Sequence, residues 1–149
     1  MFAEQVDRIR QDIEAARAYL EGREQVKVVA AKGGRIIGWA SGSGVRPVLE
    51  LAEGVGEALQ GASVADRVIG RAAGFVLVAA GVRGAYGAVL SEEAQRLLTR
   101  HGIVVQSGLV VPYIQRRDGA GRCVMEEQVL DLDDPEQAVE RLRQLLRMD

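Results

Sequence analysis

Apolar residues recur over the first twenty positions at three- and four-residue steps: Phe2, Val6, Ile9, Ile13, Ala16 and Leu20. That spacing predicts an amphipathic helix over 2–20, with Gly22 as its C-cap. The other faces are mostly charged, so the apolar stripe packs either on the same chain or on a second copy. The pattern then changes to two β-type runs, Val26–Ala31 and Arg35–Ala40, around Lys32-Gly33-Gly34. A Gly-Gly between apolar runs predicts a tight hairpin. Lys32-Gly33-Gly34-Arg35 lacks the G-x-x-x-x-G-K-[ST] spacing of a phosphate loop and reads as a turn.

Ser41-Gly42-Ser43-Gly44 is a connector. It either turns the chain from sheet to helix or brings its backbone to a ligand. A second helix follows, with Pro47 in its first turn and Val48, Leu49, Leu51 and Ala52 inside. The stretch Ala62–Val82 is apolar nearly throughout, yet carries Asp66, Arg67 and Arg71 near its start. It predicts a short strand over 62–65, Asp66 as an N-cap, and a helix over 68–80 that is buried all round and ends at Gly81. Charges at the start of such a helix must be paired or must face a cleft.

A strand over 85–90 containing Tyr86, a helix Glu92–Arg100 capped by Ser91, and a strand over 103–105 come next. The run 109–114 is β-type but interrupted by Pro112, so it ends a strand or lies at an edge. Residues 116–125 form a glycine-rich loop, and Glu126 and Glu127 begin a short strand or helical turn. Asp133 or Asp134 caps a last helix from Pro135, with Ala138, Val139, Leu142, Leu145 and Leu146 on its apolar face. A hairpin followed by alternating helices and strands predicts an α/β sandwich around a mixed sheet.

The 149 residues fit one α/β domain over 23–149 preceded by the amphipathic helix over 1–22. A formal charge of −2 argues against an extended nucleic-acid surface. The longest clean apolar run, 72–82, holds about half of the ~20 residues a membrane span needs. A single cysteine, Cys123, allows no intramolecular disulfide, and with no signal-like start this fits a cytoplasmic protein. One histidine and one cysteine cannot supply a typical zinc site, and no motif for another metal or cofactor stands out.

Three groups of residues carry candidate chemistry. Arg67 and Arg71, four apart at a helix start, suit a phosphate or carboxylate, with Asp66 orienting them. The structural alternative is that Asp66 caps the helix and pairs with one arginine. Cys123 lies among Arg116, Arg117 and Arg122, cations that favour a thiolate. Its base would be Asp66, Glu126 or the lone His101, although His101 at a helix C-terminus also reads as an end-charge. Ser43, Gly44 and Asp118 are candidate rim or turn residues.

Several segments, in order, resemble one family: Gly44-Val45-Arg46-Pro47-Val48-Leu49, Ala65–Ala73, His101-Gly102-Ile103, Val111-Pro112-Tyr113-Ile114 and Arg117–Glu126. Together they are similar to an uncharacterised prokaryotic domain of unknown function with a cytidine-deaminase-like fold and no zinc. The resemblance covers roughly residues 26–130. It implies a three-layer α/β/α sandwich on a five-stranded mixed sheet, with both helix starts and the Cys123 loop around one cleft. It does not imply deamination. Zinc deaminases place His or Cys with Glu at the first helix start and P-C-x-x-C at the second. Here those places read Arg67-Val68-Ile69-Gly70-Arg71 and Ser91-Glu92-Glu93-Ala94. Three functions follow as expectations: a zinc-free module binding a small anionic, nucleotide-like ligand; an enzyme using Cys123; or an interaction protein, such as a homodimer through its terminal helices.

Overall fold

The computed structural model describes residues 2–148. The N-terminal stripe folds as helix α1 (Phe2–Glu21), which buries Ile13, Ala16 and Leu20 and leaves Phe2 exposed. Strands β1 (Val28–Lys32) and β2 (Arg35–Ala40) form the expected antiparallel hairpin. Gly33 and Gly34 have φ of 62° and 80°, the left-handed pair that a two-residue hairpin turn requires and glycine adopts without strain. The Asp12 carboxylate accepts hydrogen bonds from both turn N–H groups, at 3.1 and 2.8 Å, and so ties α1 to the hairpin.

The chain continues through α2 (Arg46–Val55), a 3₁₀ turn (Gly56–Leu59), β3 (Ser63–Ile69), α3 (Arg71–Ala80), β4 (Gly84–Ser91), α4 (Glu92–Arg100) and β5 (Val104–Val111). Two further helices follow, α5 (Val124–Gln128) and α6 (Pro135–Leu145). The sheet order is β2-β1-β3-β4-β5; β1 is antiparallel to both neighbours, and β3, β4 and β5 run parallel. Alternate strand residues serve opposite layers. Val28, Ala30, Val64 and Ala85 pack with α2, α3, α4 and α6, whereas Val29, Ala31, Ala65 and Tyr86 pack with α1. The result is a three-layer α/β/α sandwich. Each large side chain fully buried in it, such as Phe75 or Leu77, contributes about 1.5–3 kcal/mol.

Two expected boundaries are corrected. β3 continues through Asp66 and Arg67 to Ile69, and α3 starts only at Arg71 with Gly70 as its N-cap. Asp66 is therefore not a helix cap, and Arg67 and Arg71 do not share a helix face. Val68 and Ile69 keep the parallel pairing, opposite Val89 and Leu90, so an apolar run that reads as one long buried helix is a buried strand passing into a helix. Second, the β-type runs 103–105 and 109–114 merge into the single strand β5. It passes through Gly108, where a Cβ would stand 2.6 Å from the Ala88 carbonyl oxygen. Pro112 lies just past its end. Among the described residues, no helix is long and apolar enough to cross a membrane.

Candidate functional site

A cavity of about 420 Å³ opens beyond the C-terminal end of β3. The connector supplies Gly42, Ser43, Gly44 and Val45, and the strand ends supply Lys27, Arg67 and Val68. Gly70, Ala72 and Ala73 come from the start of α3, and Ile114–Arg117, Cys123, Met125 and Glu126 from the C-terminal segment. A groove of similar volume, about 440 Å³, runs over Glu127, Gln128, Leu130, Asp131 and Arg141, but exposed or half-exposed side chains border it and no buried charge reaches it.

Glu126 organises the cavity floor. Its Oε1 accepts the Arg71 N–H at 2.6 Å and its Oε2 the Ala72 N–H at 2.7 Å. Two of the free N–H groups that any helix start presents are thus satisfied by a carboxylate 55 residues downstream of Arg71. Burial pushes the Glu126 carboxyl above its ordinary range; the two N–H bonds pull it down, Glu93 pushes it up and Arg122 pulls it down. Gly70 makes the approach feasible, because a Cβ there would lie 2.2 Å from Glu126 Oε1. Arg122 pins the loop from the other side. It pairs with Glu93 on α4 at 2.5 Å and lies over the Tyr113 ring at 4.7 Å.

Asp66 is fully buried behind the cavity wall. Its Oδ1 accepts from Lys27 Nζ at 2.5 Å and from the Val68 N–H at 3.1 Å, while its Oδ2 has no hydrogen-bond partner among the described residues. Burial pushes this carboxyl up, against the pull of Lys27 and the backbone N–H groups of Val68 and Arg67. So Asp66 orients Lys27, not the arginines.

The two arginines are separated. Arg67 Nε donates to the Val26 carbonyl at 2.7 Å, and its Nη2 donates to those of Leu20 and Arg23 at 2.9 and 2.8 Å. It closes the C-terminal end of α1, whose last carbonyls have no helical partner. Arg67 still borders the cavity. Arg71 turns away from it. Its Nε donates to the Val129 carbonyl at 3.2 Å and its Nη2 to that of Leu132 at 2.5 Å, and its guanidinium lies over the Phe75 ring. Five fork-to-carbonyl contacts hold main chain, and a shared anion between Arg67 and Arg71 has no geometric basis.

Cys123 is half-buried on the cavity wall, with Arg116 and Arg117 on the same wall. His101 follows α4, eight residues beyond Glu93, or roughly 12 Å along the helix. No Cys–His pair forms. Asp118 lies outside the cavity at an exposed loop tip, where it accepts from the Ala120 N–H at 2.9 Å and sits 3.6 Å from Arg116. The start of α2 is different from that of α3: its N-cap, Val45, supplies no side-chain acceptor, and Gly44 beside it has φ 73°. Its first N–H groups lie beside the Ser43–Val45 wall. Among the described residues, no group of three or more His, Cys, Asp or Glu comes together as a metal site.

Lys27 is a charged cavity residue that no sequence motif marks. A signal was present: the chain has seventeen arginines but two lysines, and one of the two immediately precedes the buried strand β1.

No curated protein matches the chain. Among solved structures, a DUF1893 family protein from Thermotoga maritima superposes with a TM-score of 0.80 at 25% identity, over 90% of each chain. Two forms of Acinetobacter baumannii RibD match at 19% identity with TM-scores of 0.53 and 0.54, over 68% of this chain and 36% of theirs. The fold is thus the cytidine-deaminase-like sandwich that the ordered motifs imply. The profile of the domain of unknown function DUF1893 matches residues 16–146, nearly the whole chain, and the protein belongs to that family.

Proposed function

We propose that the cavity binds a small anionic molecule of nucleotide-like size, without zinc chemistry. The observation that carries this reading is an excess of cationic over anionic side chains lining one cavity, Lys27, Arg67, Arg116 and Arg117 against Glu126. Its acids are engaged: Glu126 on the start of α3 and Asp66 on Lys27. Arg116 and Arg117 stand on its rim beside the open start of α2, a favourable setting for an anion. Arg67 contributes field rather than a hydrogen-bonding fork, and Ser43 and Gly44 contribute rim contacts.

The donor set at the two helix starts does not fit zinc. Gly70-Arg71-Ala72 and Ser91-Glu92-Glu93 offer neither His nor Cys, and the Glu126 carboxylate fills the first place. The central part of each terminal helix's apolar stripe is buried in its own chain, through Ile13, Ala16 and Leu20 in α1 and Ala138 and Leu142 in α6, while Phe2 and Leu145 stay exposed. That favours the cavity over the terminal helices as the seat of function.

Calorimetric titration of inorganic phosphate and of a nucleoside monophosphate tests the reading. Wild type is expected to bind, and Arg117→Ala to weaken binding about tenfold, the loss of one charge-assisted hydrogen bond. Absence of binding to both probes contradicts it.

A further inference from the structure

We infer that Lys27 is an imine-forming nucleophile, and that the anion this cavity takes is a small phosphorylated or carboxylated aldehyde or ketone. The inference rests on the anion-binding reading and adds the reacting group.

Lys27 is the cavity's one primary amine, on a side chain about a tenth exposed. Its Nζ meets Asp66 at 2.5 Å, and the second carboxylate oxygen of Asp66 is buried without a partner among the described residues. Here a carboxylate able to take a proton is bonded to the amine of a lysine that lines the cavity. The residue type matters too. Of the chain's eighteen other lysine and arginine side chains, seventeen are arginine, whose guanidinium does not form imines, so lysine is not this chain's routine buried cation. Lys32, the other lysine, is exposed and donates to the carbonyls of Ala58 and Gln60.

The step balances with these groups alone. Lys27 passes one ammonium proton to Asp66, and its freed lone pair attacks the carbonyl carbon. A C–N bond forms and the carbonyl π pair moves to oxygen, which takes a proton from that nitrogen, and Asp66 returns its own proton to the nitrogen. The resulting carbinolamine loses its hydroxyl as water, using a second proton from the same nitrogen. The product is an iminium cation, which keeps its ion pair with the Asp66 carboxylate. No oxidant, reductant or metal is needed. Lysine Schiff bases of this kind convert a carbonyl into an electron sink. Arg116 and Arg117, on the same cavity, would hold the ligand's anionic end. Asp66 acts through Lys27 and is a positioning residue.

The test uses pyridoxal 5′-phosphate purely as a chromogenic anionic aldehyde, with borohydride trapping and peptide mapping of the full chain. Trapping is expected at Lys27, at least about tenfold faster than at Lys32, through positioning in the cavity. Inorganic phosphate is expected to protect Lys27, and pyridoxal without its phosphate to label it more slowly. Lys27→Arg keeps the charge and is expected to lose the adduct while still binding phosphate. Asp66→Asn is expected to move the pH profile of trapping rather than abolish folding, with Asp66→Glu restoring part of the rate. Labelling confined to Lys32 or the N-terminal amine overturns the inference. If phosphate binds by calorimetry yet Lys27 is not trapped, the imine fails and the anion reading stands. If Lys27 is trapped without phosphate protection and equally by pyridoxal, the anionic class fails. If neither binding nor trapping occurs, both fail.

Discussion

Replacing Glu126 by alanine perturbs the site at its most connected point. The carboxylate satisfies two backbone N–H groups at the start of α3, at 2.6 and 2.7 Å, and is 4% exposed. Leaving one such donor unpaired costs about 1–3 kcal/mol. The start of α3 borders the cavity, so water reaches it in part, and removal of a desolvated charge offsets some of the loss. The expected net cost is about 2 kcal/mol, or about 4–8 °C in melting temperature for a chain of this size. Glu126→Gln keeps the volume and one acceptor oxygen, so about 1 kcal/mol is expected. The pH dependence separates the forces involved. Burial raises this carboxyl above its ordinary value of 4.5, more than the two N–H bonds lower it. A raised acid contributes stability that is full below 4.5 and is lost as pH rises through the folded-state value. Wild type should therefore gain on Glu126→Gln as pH falls from neutrality toward 4.5. Urea unfolding of the three proteins across that range measures both effects. An unchanged stability of Glu126→Ala, or a wild type that gains on Glu126→Gln as pH rises, refutes the reasoning.

Further outcomes follow from the same contacts. Gly70→Ala sets a methyl 2.2 Å from Glu126 Oε1 and 2.7 Å from Ile114, so chemical denaturation should show a loss of about 2–3 kcal/mol, typical of overpacking. Lys27→Met strands the Asp66 carboxyl and should cost about 3–5 kcal/mol; adding Asp66→Leu should recover part of it, measurable as coupling in a double-mutant cycle. Phe75→Ala removes a fully buried ring from α3 and should cost about 3–5 kcal/mol in the same assay. Arg117→Ala touches no packed group and should leave the melting temperature within about 2 °C while weakening phosphate binding.

The hairpin, the Ser91 and Asp134 caps and the amphipathic α1 are legible because each is written in adjacent residues: two glycines, a short polar acceptor before a helix, a repeating stripe. The β3–α3 passage is not. Gly70 is its only local mark, and the group that caps α3 is Glu126, which no local pattern connects to it. Asp66, Arg67 and Arg71 read as one charged cluster because they are neighbours in sequence. In the structure a strand sends Asp66 toward Lys27 and Arg67 toward α1, and Arg71 reaches back to the segment after α5. Cys123, Glu126, Ser43 and Gly44 do border one cavity. Lys27 joins them through pairing across the sheet, a long-range fact that composition hints at and periodicity hides.

Backbone amide shift mapping of the full chain during titration with inorganic phosphate tests the central claim most directly. Shifts that saturate and cluster at Gly42–Val45, Arg67–Gly70 and Gln115–Arg117 are the expected result. No saturable shift, or shifts confined to surface arginines away from the cavity such as Arg96 and Arg100, would contradict it.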